Sequence, residues 1–457
     1  MKKYLSILAS TAVVLSLAGC SSAGINGPTP SSVVSGATSG SSGTTAPANS
    51  GEYTGTDIGG TGKRPDTGDL EMFATTEAAM DTAAGGAIKG GAMAPTAPAG
   101  DIAPPVEEPS VVVEPIKPTE LETPPQAGLL TGGEWNDNAH WADWNALYTS
   151  HEDWNSYKKT WKNETDCRIA VKVTSNGEPF EGARVSCKSA ISSAVTDNKG
   201  KAYLFYPAIN GPTEPITVEF GGTSKTIDGV IGNAEVECDL GTVARDTEVP
   251  SLDFMIMCDT TGSMGDELEY LKVELENIVR KIKSDNSNIP VHTSVNFYRD
   301  EGDEYVVRQF PFTDDIEKSA NAIREQSANG GGDTPEAVHT ALDSAINNHT
   351  WSENSVKIMF LVLDAPPHDD AQIIDSVNKY VRQAAEKGIR IVPIASSGID
   401  KSTEYLLRTM AFTTGGTYTF LTDDSGVGNS HIKPTVGAYN VEKLSDMMIR
   451  IVNSYLA

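Results

Sequence analysis

Asp259, Thr261 and Ser263 stand two residues apart in the stretch MCDTTGSMGDELEYLK at 257–272, directly after the apolar run LDFMIMC. Two other stretches put acids beside turn residues: NGGGDTPEAV, which carries Asp333 and Thr334, and LVLDAPPHDD, which carries Asp364 and His368. Hard oxygen donors of which few are charged suit Mg2+ (or Mn2+), since the ion keeps several waters and takes one or two protein carboxylates. Neutral hydroxyls leave such an ion under-neutralised, with an open position. Other chemistries fit less well. A phosphotransferase with an Asp nucleophile wants a second acid two residues on, and position 261 is Thr. The glycines at 330–332 could cradle phosphate, but Asp333 repels it and no Lys follows. Thr261 and Ser263 could simply cap a helix.

Residues of this kind need elements to hold them. Apolar runs LDFMIMC, VHTSVNFY, VKIMFLVL, IRIVPIA and TYTFL alternate with amphipathic segments at 266–283, 314–327, 335–347, 370–387, 402–412 and 441–455. Near-continuous apolar strands separated by helices predict an α/β fold: a doubly wound, mostly parallel sheet with helices on both faces. YVVRQFPF, close behind VNFYRD, predicts an antiparallel edge strand. Ligands of such sheets gather at the carboxyl ends of the strands, where Asp259 and Asp364 stand.

DTTGSM resembles the D-x-S/T-x-S motif of von Willebrand factor type A domains, their metal ion-dependent adhesion site. GGGDTPEAV and LDAPPH resemble the second and third loops of hemicentin-like members, and the resemblance spans 248–457. It implies a metal site in which Asp259 is a carboxylate ligand, Thr261 and Ser263 supply hydroxyls, Thr334 is the second-loop ligand and Asp364 binds through water. Asp333, before Thr334, departs from the many members with only Gly there, and is a secondary candidate. The family's partner fills the open position with a Glu or Asp. Binding rather than catalysis is therefore expected; the rival hydrolase reading would use Asp364 and His368.

The first 19 residues, with Lys2, Lys3 and an apolar run through Leu17, read as a secretory signal. Its end, LAGC, resembles the lipobox of bacterial lipoproteins, which implies cleavage before Cys20 and acylation of its sulfur. Residues 20–130, rich in Ser, Gly, Thr, Pro and Ala, are expected to form a disordered tether. Five of the six tryptophans fall at 131–162, where Trp141, Trp144 and Tyr148 share a helical spacing. That segment is expected to staple itself onto the following domain. Period-two alternation over 163–247, with turns at Asn176-Gly177 and Asn198-Lys199-Gly200, predicts an antiparallel β-sandwich. It resembles carboxypeptidase regulatory-like domains, which implies a structural spacer. Pairing among Cys167, Cys187 and Cys238 stays open, and Cys258, in a central strand, is expected to be a buried free thiol.

A net charge of -27 argues against nucleic acid as a partner. The sequence thus reads as a lipid-anchored protein of the bacterial cell envelope, facing outside the cytoplasm. Its expected ligand is a protein or extracellular-matrix component with an exposed Asp or Glu; the rival without a working metal site is an envelope scaffold.

Overall fold

The computed structural model describes residues 53–59, 128–244 and 251–457. The signal peptide at 1–19, the acylation of Cys20 and most of the 20–130 tether lie outside the described residues.

The largest element is a nine-stranded sheet. In chain order its strands are β1 (Thr56–Ile58), β2 (Thr131–Trp135), β3 (Ser251–Asp259), β4 (Val291–Tyr298), β5 (Val307–Gln309), β6 (Ser355–Leu363), β7 (Ile389–Ala395), β8 (Tyr418–Leu421) and β9 (Glu442–Lys443). In space they run β1-β5-β4-β3-β6-β7-β8-β2-β9. The five strands from β4 to β8 in that order are mutually parallel, while β5 and β2 flank them antiparallel. Every residue of β3 is buried, as its unbroken apolar run requires of a strand covered on both faces. Phe254, Ile256 and Cys258 point into one core with helices α3 (Leu268–Asp285) and α8 (Leu444–Ser454). Met255 and Met257 point into the other, with α5 (Val338–Asn347), α6 (Ala371–Lys387) and α7 (Lys401–Thr414). This is the doubly wound α/β fold read from the sequence.

Both sheet edges depart from expectation. The strand at Val307–Gln309 is antiparallel, as predicted, but it is not an edge: β1, from within the expected tether, pairs with it in register Asp57↔Arg308. At the other side β2 covers β8, and β9 covers β2. Unpaired edge groups are templates for association, and here the sheet ends instead on very short strands, β1 and β9. Strands of three and five residues are too short to show a period, so the sequence hid them.

The tryptophan segment begins with β2, then forms α1 (Trp141–Ser150) and α2 (Trp154–Thr160). Its rings pack chiefly on α7 of the C-terminal domain. Trp144 lies 5.0 Å from Phe412 and 5.5 Å from Trp154, and Trp154 lies 5.2 Å from Tyr405. Arg408, 1% exposed, sits among them with its guanidinium 4.9 Å from the Trp144 ring. It donates to both oxygens of buried Asp137, at 3.0 and 2.6 Å, and to Thr435 O at 2.6 Å.

The sandwich holds two four-stranded sheets. Contrary to the antiparallel expectation, Ala234–Asp239 runs parallel to Cys167–Ser175. The Asn176-Gly177 turn does close a hairpin, both residues having positive φ. The turn at Asn198-Lys199-Gly200 does not: Ala194–Val195 pairs in one sheet and Lys201–Tyr206 in the other, so the chain crosses the sandwich there. The sandwich packs directly on the C-terminal domain. Arg390 donates to Val195 O at 2.7 Å, Asn198 donates to Ser454 O at 2.9 Å, and the Phe205 ring lies 5.1 Å from that of Phe412. Cys167, Cys187, Cys238 and Cys258 are all free thiols.

Replacing Asp137 by Ala would leave the Arg408 charge buried without its main partner. The expected loss is about 3–5 kcal/mol of unfolding free energy, measured by guanidinium denaturation of the full chain.

Candidate functional site

Asp259 ends β3, and the chain turns sharply at once because the Asp259 carboxylate holds the next residues. Its Oδ1 accepts from Thr261 N at 2.8 Å and from Thr261 Oγ1 at 2.6 Å. Ser263 Oγ follows at 3.2 Å from Thr261 Oγ1, inside a 3-10 turn over Gly262–Asp266 that leads into α3. The three residues singled out by their spacing therefore form one cluster. Asp364, directly after β6, is 4% exposed, and the charge on Asp364 acts on Asp259.

The three loops are locked together by backbone bonds. Gly262 N donates to Gly330 O at 3.1 Å, and Asn329 N donates to Thr260 O at 3.1 Å, joining the first loop to the second. Glu336 N donates to Pro366 O at 2.9 Å, joining the second to the third. The glycine run is a packing requirement. Gly330 has φ +80°, and a Cβ there would fall 2.3 Å from Asp303 Oδ2, which accepts from Gly331 N at 2.9 Å.

Thr334 and Asp333 are placed differently from the cluster. Both are exposed on the second loop, and neither forms a hydrogen bond to Asp259, Thr261 or Ser263. The buried acid of that loop is Glu336, 2% exposed, which the sequence reading passed over. In TPEAV it looks like an ordinary first-turn acid, but α5 starts only at Val338. The usable signal was its place between Pro335 and the apolar pair Ala337-Val338. His368 is engaged elsewhere, with Nε2 2.8 Å from Asp300 Oδ1.

The electrostatics follow from burial. Asp259 is pushed up to about 7 by desolvation and then by the Asp364 charge, against the pull of its Thr261 bonds. Asp364 is pushed up to about 6 by burial, with Ser263 pulling it down and Glu267 and Asp266 raising it. Glu336 is pushed up to about 9 by burial and by Asp259, Asp300, Asp364 and Asp303. Asp259 Oδ2, Asp364 Oδ1 and Glu336 Oε2 are buried without a hydrogen-bond partner. A buried acid oxygen facing other acids calls for a proton or a cation. Among the described residues no three His, Cys, Asp or Glu side chains converge to hold a metal ion. A cation here would accordingly rest on Asp259 and Asp364 together with the Thr261 and Ser263 hydroxyls, a donor set of the kind Mg2+ accepts.

These shifts fix a pH dependence for the cation-free protein. Asp259 holds its proton more tightly folded than unfolded, so the native state binds more protons between about pH 4 and 7. Its contribution is fully present below the unfolded value and is lost as pH rises through about 7. Denaturation midpoints taken in chelator should fall across that window in the parent chain and fall less in Asp259→Asn.

The family model described as von Willebrand factor A domain matches residues 251–431. A putative ariadne-like RING finger protein of Acanthamoeba polyphaga mimivirus is 34% identical over 125 residues, 27% of this chain and 12% of that protein. The von Willebrand factor A domain-containing protein 7 of Homo sapiens is 32% identical over 123 residues, 27% of this chain and 13% of that protein. An alpha-protein kinase of Dictyostelium discoideum is 26% identical over 118 residues, 26% of this chain and 19% of that protein. The chain thus spans less than a fifth of the length of each of these relatives. Among solved structures, the conserved hypothetical protein BatB of Bacteroides thetaiotaomicron aligns with 45% of this chain and 98% of its own. Its TM-score is 0.32 at 14% identity, too distant to bear on function. The family match and the sheet coincide: residues 251–431, which match the von Willebrand factor A domain model, hold the parallel strands and the three loops of the site.

Proposed function

We propose that this chain is an envelope lipoprotein, anchored through Cys20, whose von Willebrand factor A domain captures an acidic group of a protein ligand through a bound divalent cation. Asp259 and Asp364 would hold the ion with the hydroxyls of Thr261 and Ser263. Thr334, exposed on the second loop, is the further candidate that the resemblance implies, and Asp333 beside it is a secondary one. Bound there, Mg2+ or Mn2+ would supply an electropositive coordination position for the ligand's Glu or Asp. The observation that carries this reading is the pair of unpartnered, buried oxygens, Asp259 Oδ2 and Asp364 Oδ1, at the carboxyl end of the parallel strands. Removal from water makes their mutual repulsion costly, and a cation between strand ends is the simplest relief.

The protein supplies the arrangement whether or not the ion is bound. Thr261 fixes the Asp259 carboxylate by two hydrogen bonds, so one oxygen stays committed to the turn and the other stays available. The bonds from Gly262 to Gly330 and from Glu336 to Pro366 keep the three loops from separating. His368 is hydrogen-bonded to Asp300.

Mg2+ or Mn2+ at one hundred times its dissociation constant should stabilise the chain by about 2.7 kcal/mol. That is a rise in thermal midpoint of roughly 4 °C for a folding unit of this size, absent in chelator. Asp259→Ala should lose the response, and capture of a protein ligand from envelope or host extracts should require the cation. An undiminished metal response in Asp259→Ala would remove the assigned site.

A further inference from the structure

Residues 53–59, YTGTDIG, lie outside the stretch that matches the family, yet they fit the domain at almost every position. Tyr53 packs 5.4 Å from the Phe310 ring and donates its hydroxyl to Pro311 O at 3.1 Å. Gly55 leaves no room for a side chain, since a Cβ would fall 2.7 Å from Phe310 Cζ. Asp57 takes two bonds from Arg308, at 2.8 and 3.1 Å. Ile58 O accepts from Val306 N at 2.9 Å, and Gly59, at φ +77°, would carry a Cβ 2.6 Å from Val306 Cγ2. Main-chain pairing gives an added strand its affinity, and positions that admit only certain side chains give it selectivity.

The groups that grip this strand continue inward to the Asp259 loop. The Arg308 guanidinium lies 4.0 Å from the centre of the Tyr305 ring, and that of Arg299 lies 4.5 Å from it. The Tyr305 hydroxyl is 2.8 Å from Thr260 Oγ1, which itself donates to Tyr298 O at 3.1 Å, so Tyr305 is the donor of the pair. A second route is backbone: Val306 O accepts from Arg299 N at 2.9 Å, and Arg299 Nε donates to Thr260 O at 3.2 Å. Both routes end on Thr260, which stands between Asp259 and Thr261.

We propose that the edge of β5 is a strand-recognition surface whose ligand is this chain's own segment 53–59, and that docking of the strand is linked to the order of the loop carrying Asp259 and Thr261. Undocking leaves Arg308 with only the more distant Glu304, 3.9 Å away, so the guanidinium is held less firmly over the Tyr305 ring, which loosens the grip on Thr260. Linkage is reciprocal: whatever orders the loop tightens the strand. The cation arm of the test below rests on the function proposed above; the exchange arm does not.

The full-length chain is compared with Gly55→Val and Asp57→Asn by hydrogen exchange, and by Mn2+ titration. In both variants, exchange protection is expected to fall about tenfold or more at 305–309 and measurably at 257–264. The Mn2+ dissociation constant is expected to rise about fivefold, within the usual range of allosteric coupling. Thr56→Ser, at an exposed position, should behave as the parent. Unchanged protection at 305–309 in Gly55→Val overturns the recognition surface. Lost protection at 305–309 with 257–264 and Mn2+ affinity unaltered overturns the linkage. Failure of the parent to take up Mn2+, with 257–264 still loosened by Gly55→Val, upholds the linkage and removes the cation reading instead.

Discussion

Acidic oxygens without partners, held in a space cleared of water, are the constraint on which the rest of this domain depends. Asp259 and Asp364 sit at the ends of adjacent parallel strands, 0% and 4% exposed, and the Asp364 charge acts on Asp259. Left alone, such a pair would push its loops apart. The structure counters this with backbone bonds that tie each loop to the next, and with glycines where a side chain would collide with Asp303. Thr261 spends its own amide and hydroxyl on Asp259 Oδ1, which lowers the cost of burying that carboxylate. The balance leaves Asp259 near neutrality in its proton affinity, so small changes in proton or cation occupancy weigh heavily on the loops.

Rigidity for those loops comes from the parallel strands behind them, and the strands in turn need closed edges and covered faces. β1 and β2, from two distant upstream segments, cover β5 and β8, and β9 covers β2. The face behind α7 is covered by the Trp144–Trp154–Tyr405–Phe412 cluster, with the Arg408–Asp137 pair inside it. Buried ion pairs seldom add much net stability, because desolvation offsets the attraction. What Arg408 contributes is position: its bonds to Asp137 and to Thr435 O fix the tryptophan segment and the loop before β9 to the same helix. The sandwich, tied on by Arg390 and Asn198, extends this rigid base.

Much of this was legible in the sequence, for identifiable reasons. Long apolar runs such as LDFMIMC announce strands buried on both sides, and the predicted helices agree with α3, the helix Ile316–Arg324 and α5 to α8 within a few residues. The D-T-T-G-S spacing put Asp259, Thr261 and Ser263 in one cluster because residues that close cannot separate after a strand end. Spacing says less about loops that meet across the fold. Thr334 was chosen by motif position and lies exposed, while Glu336, two residues on, carries the buried carboxyl. Its backbone is tied across the fold to Pro366 O, a contact that no local pattern around 336 announces. Segment 53–59 was invisible for the same reason: a three-residue strand takes its identity from β5, not from its own sequence.

The boundary of the family match is consequently not a boundary of the folding unit. Cut at 251, the chain would lose β2, and β8 would expose a row of unpaired backbone groups beside Tyr418 and Phe420. Arg408 would keep its charge inside the domain without Asp137, and Phe412 and Tyr405 would lose the aromatic rings that cover them. At the other edge Arg308 would lose Asp57, the partner that draws its guanidinium away from solvent. Each loss falls on an element that also carries or braces a strand of the site sheet. The family match spans the loops and the central strands. Stability follows the burial of edges and rings, and in this chain those are covered by residues far upstream of the domain they complete.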